Sequence, residues 1–168
     1  SSDLPAAAPD PIASVIRVEI DGPLDVDAVA LRQNPDGSIE LAAPFAELNN
    51  PGYGSHLISE NKGGAPKIGG WTDARAWIQW TFKVNAPGKF RGTASVALPH
   101  KTNIQWGIGD GKQNVAVEST GGYDKFKTID LGTATIDAAG VHTLALRAIA
   151  KDWKPINIRS VTLTPAAP

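Results

Sequence analysis

The chain has 168 residues, with 16 Lys and Arg against 17 Asp and Glu, and its formal net charge is −1. The basic residues are scattered singly, unlike the basic stripe of a nucleic-acid-binding protein, and no apolar run approaches the roughly 20 residues that span a membrane. Cysteine is absent, which excludes disulfides, thiolate catalysis and cysteine-based zinc sites. We therefore expect one domain stabilised by its core, with neither nucleic acid nor membrane as a partner.

The two ends of the chain are rich in alanine and proline, which is typical of linkers. Residues 1–11 are predicted to form a leader or linker, and residues 165–168 a tail. Residues 12–37 are assigned to an N-terminal strand and the connection after it. The strand is predicted from the alternating apolar residues of the segment 16–20. Residues 38–164 are predicted to form a β-sandwich module.

The middle of the chain alternates apolar and polar residues with the two-residue period of half-buried strands. This pattern covers the segments 39–43, 78–84, 90–98, 104–108, 115–117 and 144–148. Glycine and proline turn signals separate them, and no window shows the 3.6-residue period of a helix. In the last segment, 156–163, the apolar parity changes, which predicts a β-bulge near Arg159 and Ser160. The sequence thus predicts an all-β fold, a sandwich or a barrel.

No catalytic centre stands out in the sequence. His56, His100 and His142 are far apart and do not have metal-ligand spacing, and His142 is in phase with the apolar residues of its strand. The nucleophile-elbow and phosphate-loop motifs are absent, and nothing singles out the two facing carboxylates of a glycosidase. We therefore predict a non-catalytic protein. An enzyme that uses a paired carboxylate or a metal remains as an alternative, ranked after the two non-catalytic hypotheses given at the end of this section.

Five tryptophans are unusual in a small neutral β domain. Trp80 is in phase with the apolar residues of its strand and is predicted to lie in the core. Trp71, Tyr123 and Trp153 fall instead in loops, flanked by glycine or charged residues. Sugars present apolar C–H faces and hydroxyl edges, so they suit an exposed aromatic ring beside a few polar groups. Each of the three loop aromatics fits either such a platform or a structural cap over the core.

Three segments resemble carbohydrate-binding modules of families 6 and 35. They are IGGWTDARAWIQWTFKVNAPGKFRG (68–92), TGGYDKFKTIDLGTATIDAAGVHTLALRA (120–148) and PINIRSVTLTP (155–165). The first is similar to the family's glycine–aromatic loop followed by a strand, and the second to its "T-G-G-W" segment, with Tyr123 in place of tryptophan. The third is similar to the final strand, which carries an asparagine. In order and spacing the resemblance covers roughly residues 39–164.

The resemblance implies a galactose-binding-like jelly-roll β-sandwich with a sugar site in loops at one end. It implies ligand-binding roles for Trp71, Tyr123 and Asn157, with Trp153 on the same rim. The family also tends to carry a structural calcium, held by a Glu-x-Glu pair on the first strand of the module. This sequence reads Glu40-Leu41-Ala42 there. Because the second carboxylate is missing, we predict no calcium at this position and no other cofactor.

The segment VIRVEIDGPLDVDAVALRQNPDGSIELAAPFAEL (15–48) resembles the closing strand of a family 29 α-L-fucosidase-type glycoside hydrolase, followed by an appended module. This second resemblance implies a secreted or periplasmic parent enzyme with a catalytic domain in the same chain. The leading hypothesis is therefore a module that targets the parent to galactose- or fucose-containing polysaccharide. The alternative is a structural accessory sandwich with no ligand of its own.

Overall fold

The computed structural model describes residues 31–54, 56–61 and 64–166. In these residues it contains no α-helix, one short 3-10 turn at Ala43–Phe45 and twelve β-strands. The strands are β1 Leu31–Arg32, β2 Ile39–Ala42, β3 Glu47–Asn49, β4 Ile58–Glu60, β5 Lys67–Gly69, β6 Trp77–Val84, β7 Gly88–Ala97, β8 Thr102–Ile108, β9 Gln113–Val117, β10 Lys127–Ile136, β11 Gly140–Ala148 and β12 Asn157–Pro165. The leader predicted at 1–11, the strand at 16–20 and the end of the tail at 167–168 lie outside the described residues.

The strands form two six-stranded sheets that pack face to face. The first sheet has the order β1-β6-β11-β8-β9, with β3 also paired to β6. The second has the order β10-β7-β12-β5-β4, with β2 also paired to β12. All pairings are antiparallel except that of β1 with β6, which is parallel. This architecture confirms the predicted all-β sandwich.

Strand β6 shows how the alternating sequence builds the core. Every second residue from Ile78 to Val84 is buried between the sheets, and the residues between them face outward. The indole N–H of the buried Trp80 donates to the carbonyl of Ala42 at 2.9 Å, so its burial leaves no polar group unpaired. On the outer face, the guanidinium of Arg147 lies 4.6 Å from the ring centroid of Trp77.

A second buried tryptophan joins the two sheets. Trp106 on β8 donates its indole N–H to the carbonyl of Leu131 on β10 at 2.7 Å. Its ring lies over Gly92 of β7, where a Cβ atom would approach the ring to 2.9 Å. Glycine at this position therefore makes room for the largest side chain in the core.

The register of β12 contains the irregularity that its sequence predicts. Its pairing with β7 shifts between Ile158 and Ser160, so Arg159 is the extra residue. Ile158 and Val161 are both fully buried although an odd number of positions separates them. The predicted bulge near Arg159 and Ser160 is confirmed, because only an extra residue lets both apolar side chains face the core.

The first sheet begins upstream of the predicted module boundary. Leu31 and Arg32 of β1 pair with Phe82 and Lys83 of β6. The side-chain oxygen of Gln33 then accepts the backbone N–H groups that open the β6–β7 turn, at 3.0 and 2.8 Å. Residues 31–33 are thus bound to the sandwich, and the boundary placed at residue 38 falls between β1 and β2.

Candidate functional site

The four residues expected to bind sugar lie at one end of the second sheet. Asn157 begins β12, Trp71 follows the end of β5 by two residues, and Tyr123 precedes β10. Ile158 of β12 pairs with Ile68 of β5. This pairing brings Asn157 next to Gly69, the last residue of β5.

A tight turn presents Tyr123 to solvent. The backbone N–H of Thr120 donates to the carbonyl of Leu98 at 2.9 Å, and its hydroxyl accepts the N–H of Leu98 at the same distance. Gly121 follows with φ of +97°, a conformation that glycine adopts without strain. The Tyr123 side chain that leaves this turn is 43% exposed.

Asn157 fixes the position of the Tyr123 turn. Its side-chain amide nitrogen donates to the main-chain carbonyl of Tyr123 at 2.8 Å. The residue itself is only 8% exposed, so this bond is largely shielded from water. Asn157 therefore supports the turn that carries the exposed ring, and its amide oxygen is available for another contact.

The loop that carries Trp71 is set by a glycine. Gly70 has φ of +68°, and a Cβ on it would lie 2.0 Å from the carbonyl oxygen of His56. Only glycine fits this close approach of two loops. Trp71 is fully buried, and its indole N–H donates to the carbonyl of Ala76 at 3.1 Å.

Trp153 lies directly on Trp71. The two ring centroids are 4.9 Å apart with an interplanar angle of 58°, and the indole N–H of Trp153 donates to the Trp71 carbonyl at 3.0 Å. Asp152, just before it, has φ of +61°, and the N–H of Lys154, just after it, donates to the Thr102 hydroxyl at 3.0 Å. Trp153 is half-buried, so it forms the outer layer of the pair and Trp71 the inner one.

The structure brings all four expected residues into one connected arrangement. Trp153 contacts Trp71, and Asn157 contacts Tyr123. Gly69 links the two pairs. A Cβ atom on Gly69 would be 3.1 Å from the side-chain oxygen of Asn157, and the chain runs from Gly69 to Trp71 two residues later. The two pairs differ in exposure, since the Tyr123 ring faces solvent whereas the Trp71 ring is enclosed.

Sequence reasoning missed Glu60 and Gly69, which lie next to Asn157 in the structure. A Cβ on Gly69 would lie 2.9 Å from Oε1 of Glu60, and Glu60 Oε2 lies 3.1 Å from the Lys67 ammonium. Glu60 stands on a strand of only three residues without apolar alternation, so no sequence pattern marks it. The glycine pair before Trp71 was the available signal, because a glycine in a strand often marks a position that other groups approach closely.

The residues at the expected calcium position do not fit a calcium ion. Glu40, Ala42 and Arg159 line one cavity of about 270 Å³ on the outer face of the second sheet. The Arg159 guanidinium lies 3.7 Å from the ring centroid of Phe126. One carboxylate beside a guanidinium lacks the anionic oxygen ligands that calcium needs. The described residues contain no cluster of three or more His, Asp or Glu that could hold a metal.

A second cavity lies on the outer face of the first sheet and encloses about 460 Å³. It is lined mainly by polar side chains of β6, β8 and β11, among them Gln79, Gln105, Thr143 and Arg147. None of the four expected residues belongs to it. A substitution in this cavity therefore serves as a comparison for substitutions in the loop site.

The family assignment agrees with this geometry. The profile of the family described as carbohydrate binding module (family 6) matches residues 46–165, which spans all the site residues named above. The chain belongs to carbohydrate-binding module family 6. Modules of this family bind carbohydrate and are non-catalytic, which agrees with the absence of a catalytic motif in the sequence.

Solved structures share the fold of this module. The C-terminal family 6 module of the laminarinase LamC from Zobellia galactanivorans has 17% identity and a TM-score of 0.61, covering 76% of this chain and 98% of that one. A family 6 module of Cellvibrio mixtus lichenase 5A, solved with cellotriose, has 18% identity and a TM-score of 0.57, covering 76% and 97%.

A β-(1,4)-mannanase from Podospora anserina with a GH26-CBM35 arrangement is similar over 79% of this chain, with 21% identity and a TM-score of 0.62. The chain spans only 28% of that mannanase. A search of curated proteins gives no match. Within the described residues, no helix has the length and apolar character needed to cross a membrane.

Proposed function

We propose that this module binds galactose- or fucose-containing polysaccharide at the loop site formed by Tyr123, Trp153 and Asn157, with Trp71 as its inner support. The observation that carries the proposal is that Tyr123 is 43% exposed, on a turn whose main-chain carbonyl at Tyr123 accepts a hydrogen bond from the buried Asn157 amide at 2.8 Å. Because this bond holds the backbone of the turn, an exposed ring on it stacks on the C–H face of a sugar without prior ordering of the loop.

The proposed biological role is to hold an attached glycoside hydrolase close to its substrate. A tethered second contact raises the effective concentration of the polysaccharide at the catalytic domain. The resemblance of residues 15–48 to the closing strand of a family 29 enzyme supports an α-L-fucosidase-like parent. The mannanase, which joins a family 35 module to a catalytic domain, is a related arrangement in another protein. We propose a secreted or periplasmic location on the same basis.

A second candidate function is that of a structural accessory sandwich without a ligand. The observation that favours it is the complete burial of Trp71 beneath Trp153, whose indole N–H is bonded to the Trp71 carbonyl. Both residues could act only as a cap over the end of the core. The two candidates differ in what they predict for Tyr123, because a purely structural module does not need an exposed ring there.

Affinity electrophoresis and isothermal titration of the module with a broad panel of polysaccharides test the proposal. We expect weak binding to one or more galactose- or fucose-containing polysaccharides. Tyr123→Ala is expected to weaken binding by about 1 kcal/mol, roughly fivefold. Phe45→Ala, which removes another exposed ring outside the loop site, is the matched control and should bind as the parent does.

Two results would contradict the proposal. The absence of binding to every polysaccharide, with folding verified, would favour the structural sandwich. Binding that Tyr123→Ala leaves intact but Gln105→Ala abolishes would move the ligand to the outer face of the first sheet, where Gln105 lines the cavity of about 460 Å³.

A further inference from the structure

The bulge in β12 places an unpaired arginine on the outer face of the second sheet. The guanidinium of Arg159 lies 3.7 Å from the ring centroid of Phe126, so one of its faces is covered by an aromatic ring. Its Nε atom is shielded from solvent and has no hydrogen-bond partner. Within the described residues, no ion pair of Arg159 is found either. The cation is therefore held in place without an acceptor from the protein.

A second arginine on the same face shows what Arg159 lacks. Arg91 on β7 donates from Nε and Nη2 to the two carboxylate oxygens of Asp130, at 3.3 and 2.9 Å. The planar fork of a guanidinium matches a carboxylate in this way. Buried polar groups in native proteins nearly always have a partner, because an unpaired one is costly. The Phe126 ring offsets part of that cost but provides no acceptor in the plane of the fork.

The cavity beside Arg159 has the lining for a carboxylate with an apolar body. It encloses about 270 Å³. Ser95 and Ser160, which pair across β7 and β12, border it with hydroxyl groups that can donate hydrogen bonds. The remaining wall is apolar and consists of Ala42, Pro44, Ala65 and Pro66. Polar donors at one side and an apolar wall at the other are typical of a site for a small organic ligand.

We infer that this cavity binds a small carboxylic acid with a short aliphatic body. The carboxylate accepts hydrogen bonds from the guanidinium of Arg159 and from the hydroxyls of Ser95 and Ser160, and the aliphatic body contacts the apolar wall. The inference goes beyond the proposed function, because no sugar and none of the four loop-site residues takes part. The position at which the resemblance implies a bound cation thus takes an anion instead.

Glu40 sets the strength of this site. It lines the same cavity, is exposed and forms no ion pair with Arg159 in the described structure. Its charge repels a bound carboxylate through water, so we expect Glu40→Gln to strengthen binding by about fivefold. The gain should shrink as the salt concentration rises. A cavity that took a cation would respond in the opposite direction, because Glu40 would then attract the ligand.

The test is a titration of the module with butyrate at constant ionic strength, followed by proton–nitrogen NMR spectra. The Nε–H of Arg159 is a direct probe, and its signal is assigned by its loss in Arg159→Lys. We expect butyrate to shift this signal to saturation. Butyramide, which has a similar shape but no charge, should bind at least about tenfold more weakly. Galacturonate, a carboxylate on a polar body, should also bind more weakly than butyrate.

Arg159→Met is the diagnostic variant, since it keeps an aliphatic stem and removes the charge. We expect at least about tenfold weaker butyrate binding, measured from the backbone amide signals of Ser95 and Ser160. Arg91→Met is the matched control, because Arg91 is already paired with Asp130 on the same face. It should bind butyrate as the parent does. Circular dichroism verifies that both variants are folded.

Four outcomes would overturn the inference. The absence of any shift with butyrate would remove the site and leave the proposed sugar binding untouched. Equal affinities for butyrate and butyramide would show that the charge is not recognised. Unchanged binding in Arg159→Met would place the ligand elsewhere. Tighter binding of galacturonate than of butyrate would contradict the aliphatic ligand class.

Discussion

Trp153 donates its indole N–H to the main-chain carbonyl of Trp71 at 3.0 Å, and the two ring centroids are 4.9 Å apart. These residues are 82 positions apart in the sequence, so the contact joins the loop after β5 to the loop before β12. Trp71 is fully buried under this cover. The loop end of the sandwich is thus stabilised by an aromatic pair of which only the outer member meets solvent.

Removal of Trp153 should destabilise the module because it uncovers Trp71 and breaks the bond to its carbonyl. We expect Trp153→Ala to lower the free energy of unfolding by about 2–4 kcal/mol, less than for a fully buried tryptophan. Trp153→Phe keeps a ring but loses the indole N–H, and should cost about 1 kcal/mol. Urea denaturation followed by circular dichroism measures both. A Trp153→Phe variant as stable as the parent would contradict the hydrogen-bond contribution, and equal costs for the two variants would contradict the contribution of the ring.

Gly70→Ala should be strongly destabilising. Its φ of +68° is unfavourable for alanine, and the new Cβ would lie 2.0 Å from the His56 carbonyl oxygen. We expect a loss of more than about 2 kcal/mol in the free energy of unfolding. Gly54→Ala is the control, because Gly54 also has a positive φ, +95°, but in the described part of the chain no heavy atom beyond its direct neighbours lies within 4 Å of its Cβ position. A similar cost at both sites would mean that backbone strain alone decides the effect.

Asn157→Asp tests whether the buried amide supports the binding surface. The substitution replaces the donor at 2.8 Å from the Tyr123 carbonyl with a carboxylate oxygen, so two acceptors would face each other. We expect a loss of about 1–3 kcal/mol in stability and at least tenfold weaker sugar binding. Chemical denaturation and titration with the bound polysaccharide give the two values. Asn114→Asp, on the outer edge of the first sheet, should leave both unchanged.

Calcium should not stabilise this module. Ala42 stands where the second carboxylate of the Glu-x-Glu pair is expected, and Arg159 lines the same cavity. We expect the same Tm in millimolar calcium and in a chelator. Arg159→Ala should lower stability by about 0.5–1 kcal/mol, through loss of the contact with the Phe126 ring. A rise in Tm with calcium in the parent module would contradict this account.

The strands that carry a strong apolar alternation could be predicted from sequence. Strand β6 follows its pattern residue by residue, and the parity change in β12 revealed its bulge. Strands β3, β4 and β5 have three residues each and were not predicted. Such short strands belong to a sheet because of their neighbours, and a local pattern does not contain that information.

The site was accessible to sequence reasoning only in part. The resemblance indicated Tyr123 and Asn157, whose contact spans 34 residues. It could not reveal that Trp71 is buried, because burial depends on Trp153, which approaches from a distant loop. Glu60 gave no signal, since a single acidic residue in a polar segment looks like any solvated charge.

The distribution of the tryptophans between interior and surface has an optical consequence. Trp71, Trp80 and Trp106 are fully buried, whereas Trp77 and Trp153 are half-buried. The ring proposed to stack on the ligand is a tyrosine, and tyrosine emission is weak beside that of five indoles. Intrinsic fluorescence should therefore respond strongly to unfolding, which exposes three shielded indoles to water, and only slightly to a sugar that reaches Tyr123 and the outer edge of Trp153.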